Sequence, residues 1–231
     1  MKIDCRWLSL LLLLLAGCDQ DAAAPQGFAG LGNEASAFAP VVPGRTFSFP
    51  ADHGPHDGFR IEWWYLTANL KDAQGRQVGV QWTLFRSALR AAPEQPGWGA
   101  PLVWLGHAAV TSASRHHAAE RYARGGVGQA GATAQPFQAW IDDWRFTSLS
   151  SGDNPLARMQ VQASGPGFAY QLQLSSSQPL VLQGAGGYSR KSDQGQASYY
   201  YSQPFFQASG QLQIDGQRYE VSGPAWLDRE W

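Results

Sequence analysis

The run Phe59-Arg60-Ile61-Glu62-Trp63-Trp64-Tyr65-Leu66 alternates two sets of side chains, Phe59, Ile61, Trp63 and Tyr65 against Arg60, Glu62, Trp64 and Leu66. Successive strand residues point to opposite faces, so aromatics in both sets indicate a strand that is not wet on either side. Lys71-Asp72-Ala73-Gln74-Gly75-Arg76 is turn chemistry, and Val78, Val80, Trp82 and Leu84 then line one face of a returning strand. Arg86 continues that face. A cation there either snorkels out at the strand end or needs a carboxylate, and Glu62 on the neighbouring strand is the expected structural ion-pair partner.

Working outward, strands are expected at Leu102–Val110, Phe137–Thr147, Arg158–Ala163 and Phe168–Leu174. Leu212–Ile214 and Tyr219–Val221 flank Asp215-Gly216, a two-residue hairpin signal because Gly accepts positive φ. Ser114–Arg124 reads as a short surface helix, the one helical expectation. The 26 Gly and 14 Pro of the 231 residues are more punctuation than a helix bundle tolerates. The fold expected is all-β, an antiparallel barrel or sandwich, since closure removes edges and can enclose a cavity for an apolar ligand. A net charge of −1 offers no electrostatic footprint for nucleic acid.

Residues 1–17 read as a lipoprotein signal peptide. Lys2 and Arg6 precede an apolar run, Trp7–Leu15, too short to span a bilayer, and Leu15-Ala16-Gly17-Cys18 resembles a bacterial lipobox. Cleavage would leave Cys18 as the lipidated first residue and the membrane anchor. Asp19 resembles an inner-membrane retention signal, so the expected place is the bacterial cell envelope, facing the periplasm. Residues 18–45, without hydrophobic periodicity, read as a flexible tether to a β domain over 46–231.

Near the C-terminus, Trp226, Asp228 and Glu230 share one strand face, with the carboxylates about 6.5–7 Å apart. Like charges in a shielded pocket raise one proton affinity, and a neutral acid beside an indole can protonate an olefin while the ring stabilises the cation. The plainer alternative is that these acids pair with Arg229, Arg86 or a hairpin neighbour. His107 reads either as a buried neutral histidine or as an acid or base. Ser198-Tyr199-Tyr200-Tyr201-Ser202 either lines a pocket or packs as an ordinary strand. Asp52-His53-Gly54-Pro55-His56-Asp57-Gly58 is read as a rigid turn entering the barrel, because the spacing is not that of a zinc site. Gly126–Gly131 satisfies G-x-G-x-x-G but opens no helix and reads as a loop. No Gly-x-Ser-x-Gly occurs, which argues against a serine hydrolase of the nucleophile-elbow type.

Phe49-Pro50-Ala51-Asp52-His53-Gly54, Glu62-Trp63-Trp64-Tyr65, Phe85-Arg86, Gly106-His107-Ala108-Ala109, Ser198–Ser202 and Trp226-Leu227-Asp228-Arg229-Glu230-Trp231, in this order, resemble the lipocalin-like AttH and carotenoid 1,2-hydratase superfamily. The resemblance runs from about Thr46 to the end and implies a lipocalin-like barrel, the first of the two usual in that superfamily. Members of that superfamily continue into a second barrel beyond the Asp-Arg-Glu-Trp motif, where this sequence stops, so the resemblance implies a truncated chain with the second barrel expected to be missing. It implies no cofactor, and the spacing of the His and acidic residues argues against a metal site. It implies a hydrophobic small molecule handled at the barrel, and the residues read here as its contacts are Trp63, Trp64, Tyr65, Tyr199, Tyr201 and Trp226. It also implies an ABC transporter permease as partner. Two functions follow: a membrane-tethered module that binds an apolar or amphipathic molecule, or a hydratase of the hydro-lyase type. In the latter Asp228 or Glu230, with His107 as further candidate, carries the acid catalysis.

Overall fold

The computed structural model describes residues 37–92, 95–150 and 154–231. The expected signal peptide, Cys18, Asp19 and most of the expected tether lie outside the described residues. The described chain is all-β apart from short 3-10 turns, one at Ala51–His53. The strands are β1 (Ile61–Asp72), β2 (Gln77–Ala88), β3 (Leu102–Ser112), β4 (His116–Arg124), β5 (Ala130–Ala134), β6 (Phe137–Ile141) and β7 (Trp144–Ser148). There follow β8 (Arg158–Gly165), β9 (Phe168–Ser175), β10 (Val181–Leu182), β11 (Tyr188–Arg190), β12 (Ala197–Ile214) and β13 (Gln217–Glu230). They form one antiparallel sheet in the order β4-β3-β2-β1-β13-β12-β9-β8-β7-β6-β5, with β10 and β11 paired to the first half of β12.

The sheet rolls into a nearly closed lipocalin-like barrel because each central strand has one strongly apolar face. On β1 that face is Trp64, Leu66, Ala68 and Leu70; on β2 it is Val78, Val80, Trp82 and Leu84. These pack with Phe137, Phe146, Val161 and Leu172 from the other wall into one core. Gly106 faces this interior on β3. A Cβ there would stand 2.7 Å from Ile141 and 3.3 Å from the Trp144 ring, so the missing side chain makes room for Trp144. The edge strand β4 approaches the β6–β8 wall without a backbone ladder. Arg121 on β4 lies over the Trp144 ring at 4.4 Å and reaches Asp142, 3.5 Å away, and Asp143 in the β6–β7 turn.

The two ends of the barrel differ. Residues 45–59 close one end. Phe47 packs edge-on against Tyr199, Tyr201 and Trp231, and the Trp64 indole donates to the His53 carbonyl at 2.9 Å. The other end, where the β1–β2, β3–β4 and β12–β13 turns meet, is open.

Three expectations change. Ser114–Arg124 is not a helix: His116–Arg124 is β4, an edge strand whose half-buried positions are His117, Ala119 and Arg121, too small or too polar to show a clear period of two. Phe137–Thr147 is two strands, because Asp142 turns the chain with φ 54°. The tether does not extend to residue 45. Ala39 N–H donates to the Gly58 carbonyl at 2.8 Å, and Val42 exchanges two hydrogen bonds of 3.0 Å with the Tyr199 hydroxyl.

Candidate functional site

Strand parity divides the predicted site residues into two groups on opposite sides of the sheet. Glu62, Trp64, Arg86, Tyr199 and Tyr201 face the interior, whereas Trp63, Tyr65, His107, Trp226, Asp228 and Glu230 face outward.

The inner group is a lock. Glu62 and Arg86 stand directly opposite each other and 3.3 Å apart, and Arg86 also reaches Asp57 at 2.9 Å. Arg229, fully buried, joins Glu62 from the other side, donates to the Gly54 carbonyl at 2.6 Å and lies flat on Trp64 at 3.9 Å. His56 stacks on Trp231 at 3.8 Å and lies 3.1 Å from both Asp52 and Glu62. Burial alone would raise the Glu62 carboxyl, but Arg229, His56 and Arg86 outweigh it and hold it at about 2. The Asp52 carboxyl is likewise held at about 2 against its burial, by His56, the Ser48 amide and Arg45. Burial, helped by the Arg229 charge, drives His53 down to about 4, so its ring is neutral beside the Tyr201 hydroxyl, 2.6 Å away. Burial pushes the Tyr201 phenol well up. This closed end bears on the expectation that Trp64, Tyr199 and Tyr201 line a pocket. They are 0%, 3% and 1% exposed and packed against protein, so in this conformation no guest reaches them, and Trp64 cannot serve a cation on the other side of the sheet.

The outer group forms a contiguous patch. Trp63 stands between Phe85 and Glu230, Tyr65 between Thr83 and Asp228, and His107 lies beyond Thr83. Trp63 and Phe85 are 6.2 Å apart and Phe85 and His107 5.5 Å, centroid to centroid, while Trp226 is 45% exposed. Asp228 Oδ1 accepts hydrogen bonds from Tyr200 at 2.8 Å and Ser202 at 2.5 Å, and Gln183 donates to Ser202 at 2.9 Å. Glu230 takes the Ser198 hydroxyl and the Lys191 ammonium, the latter at 2.5 Å. Burial and the adjacent Asp228 push the Tyr200 phenol up to about 12, which keeps it a proton-bearing donor at neutral pH. His107 is not the buried histidine that was one of its two expected states: its side chain is 40% exposed, 3.6 Å from Glu120. Neither acid pairs with Arg229 or Arg86, because both arginines are on the inner face.

Gln183 and Lys191 were not singled out from sequence, and Ser198, Tyr200 and Ser202 stood out only as part of the Ser198–Ser202 motif, not as partners of the acids. Tyr200 alone of the three consecutive tyrosines carried a usable signal, since alternation sets it on the face opposite to Tyr199 and Tyr201. Gln183 and Lys191 come from the β10–β11 stretch, whose pairing no local pattern announces. Among the described residues no group of three His, Cys, Asp or Glu side chains is placed to hold a metal ion, and no helix is long and apolar enough to cross a membrane.

The AttH-like family model matches residues 40–231. The crystal structure of an AttH protein from Nitrosomonas europaea is 37% identical, with a TM-score of 0.71, over 84% of this chain and 58% of that one. Kievitone hydratase from Nectria haematococca has the same fold at 12% identity and a TM-score of 0.58, over 80% of this chain and 51% of that one. This chain thus spans little more than half the length of either structure. No curated protein matches it in sequence comparison. The family match over nearly all of the described residues, carried by a barrel of the same build, means that the chain belongs to the AttH-like family.

Proposed function

We propose that this chain binds an apolar or amphipathic small molecule against its outer aromatic patch, while tethered through lipidated Cys18 to a bacterial membrane and facing the periplasm. One observation carries the binding: Trp63, Tyr65, Phe85 and the exposed Trp226 surround an acid and hydroxyl cluster on one sheet face. Monomeric proteins rarely expose rings in this way without a use for them. The rings supply apolar area at small entropic cost, and Asp228, Tyr200 and Ser202 supply the few polar groups that orient a guest. The tether rests on the sequence of residues 1–19, and the family resemblance adds an ABC transporter as recipient or donor of the guest.

A second reading, a hydratase, is favoured by one detail. Both hydrogen bonds to Asp228 land on Oδ1, which leaves Oδ2 to carry a proton. In that reaction the Asp228 proton passes to one alkene carbon, Trp63 or Trp226 faces the cation, water bonds to the other carbon, and its proton leaves to Glu230 or solvent. Binding ranks first because it needs only the rings and the polar groups beside them, with no proton transfer.

Native mass spectrometry of the full-length protein, with extraction of any co-purified molecule, tests both readings. A guest lost in Trp226→Ala is expected, and a clean apo spectrum counts against both. Asp228→Asn separates them: affinity stays within a few-fold for the binder, whereas turnover is abolished for the hydratase.

A further inference from the structure

The loops at the closed end carry exposed apolar side chains that the outer patch does not include. Trp98 is 74% exposed and Leu89 52%, both on the β2–β3 connection, and Ile61, at the start of β1, is 37% exposed. Ile61 stands opposite Ser87, two residues before Leu89, so the Ile61 and Leu89 side chains leave the same outer face as diagonal neighbours. Trp98 is not on a slack loop. Arg124, at the end of β4, donates to the Trp98 and Ala100 carbonyls, both at 3.1 Å, and Gly97 N–H donates to the Gly126 carbonyl at 2.7 Å. Gly126 has φ 77°, and a Cβ there would stand 2.5 Å from the Gln95 carbonyl oxygen and 2.6 Å from that of Gly97, so glycine is what lets the two loops lie this close. A pinned connection thus holds an indole out in water, although leaving that area wet is unfavourable.

The charge beside these side chains is positive. Asp57, the exposed acid on these loops among the described residues, is held by Arg86 at 2.9 Å. Arg90 follows Leu89 and is exposed, Arg124 meets carbonyls, and Arg60 lies over the Phe38 ring at 5.8 Å; among the described residues none of the three has an acid partner. Glu94, on the same connection, lies outside the described residues. The N-terminal stretch reaches the barrel at this point, because Ala39 is bonded to Gly58 and the Arg60 carbonyl accepts the Ala88 amide, next to Leu89. Residues 18–36, read as tether, have a typical reach of roughly 25 Å. The open end is about 36 Å further along β1, so a lipid on Cys18 keeps the closed end nearer the bilayer.

We propose that the closed end docks on the bilayer surface, with Trp98 and Leu89 in the head-group region and Arg90, Arg124 and Arg60 against anionic lipid heads. The nearness rests on the tether of the reading above; the orientation rests on the loops. Docked in this way, Ile61 lies at the membrane, and Trp63 and Tyr65 follow it on the same face about 7 and 13 Å further on. An apolar guest then passes between lipid and the outer patch with little exposure to water.

The test mixes the full-length protein with vesicles of phosphatidylcholine, alone or with phosphatidylglycerol, whose acyl chains are brominated near the head group. The difference in emission between the parent and Trp98→Phe isolates Trp98. Bromolipid should quench that part, more strongly in the anionic vesicles, and acrylamide should reach it less than in detergent. Arg90→Gln should lower the ratio of docked to undocked protein about fivefold on anionic vesicles only. Leu89→Ser should lower it about fivefold on both kinds. Hydrogen exchange gives the orientation without a substitution: vesicles should slow exchange at 59–61 and 89–101 and leave 69–79 and 212–221 unchanged. Intact mass reads the tether separately. Lipid on Cys18 with Trp98 as open to acrylamide on vesicles as in detergent overturns the docking and keeps the tether, whereas no lipid with Trp98 quenched in anionic vesicles does the reverse. Trp98 shielded from acrylamide but not quenched by bromolipid assigns these loops to a protein partner and overturns the proposal, as does protection at the open end instead.

Discussion

Replacing Glu62 by Gln removes the one anion that two buried guanidinium groups share. Glu62 and Arg229 are fully buried and Arg86 is 3% exposed, so bulk water does little to screen what is left. Arg86 keeps Asp57, which is 57% exposed at the side chain, and Arg229 keeps the Gly54 carbonyl and the Trp64 face. Taking one partner from a buried pair costs about 3–5 kcal/mol, and because the Gln oxygen still accepts a hydrogen bond the lower end, about 3 kcal/mol, is expected. For a domain of this size each kcal/mol lowers Tm by about 2–4 °C, so the fall is roughly 6–12 °C. Thermal unfolding at pH 7, followed by near-UV circular dichroism of the buried tryptophans, measures it. Acid supplies an internal check. The Glu62 carboxyl is held at about 2 in the fold, below its ordinary 4.5, so its contribution is complete above pH 4.5 and is lost as pH falls through 2. The difference between the parent and Glu62→Gln should therefore shrink steadily from pH 5 to pH 2. A change in Tm below 2 °C at pH 7, or a difference that does not depend on pH across that range, would refute the account of this lock.

His53 is held near 4 in the fold and titrates near 6.5 once unfolded, so its stabilisation is complete above pH 6.5 and declines by about 1.4 kcal/mol per pH unit down to about 4. His53→Gln should flatten the stability profile over that window in urea titrations, and an unchanged slope would assign the acid sensitivity elsewhere. Gly106→Val inserts atoms where a Cβ already meets Ile141 at 2.7 Å, and should cost at least about 1–3 kcal/mol by overpacking, read as an earlier urea midpoint.

The strand after the Lys71–Arg76 turn was legible from one unbroken apolar face and the strand before it from its period of two, which set Glu62 against Arg86; the aromatics on both its faces suggested burial on both sides, whereas the Trp63–Tyr65 face is only half-buried. The edge strand β4 was not legible, since His117, Ala119 and Arg121 at its half-buried positions, alternating with His116, Ala118 and Glu120, give almost no hydrophobic contrast. Every one of the outward-facing Trp63, Tyr65, Trp226, Asp228 and Glu230 was picked from sequence, yet they were expected to surround an enclosed hollow with the inward-facing Trp64, Tyr199 and Tyr201.

Local chemistry by itself determined the strand class, the Asp215-Gly216 hairpin and which residues of a given strand share a face, because side-chain alternation is a property of the extended backbone. Only the tertiary structure decided which face is inside at the end of the chain and what stands beside what. From the hairpin, pairing runs regularly from Ile214 with Gln217 to Phe206 with Ala225; an irregularity between Gln203 and Phe206, at Pro204, then moves the register by one residue. Without it Asp228 would lie opposite Gln203. With it Asp228 lies opposite Ser202 and Glu230 opposite Tyr200, and Tyr199 and Tyr201 turn inward to Trp231 and Arg229. A one-residue slip reverses every side chain that follows it, and its position is set by how two strands pack, which alternation along either strand alone does not encode.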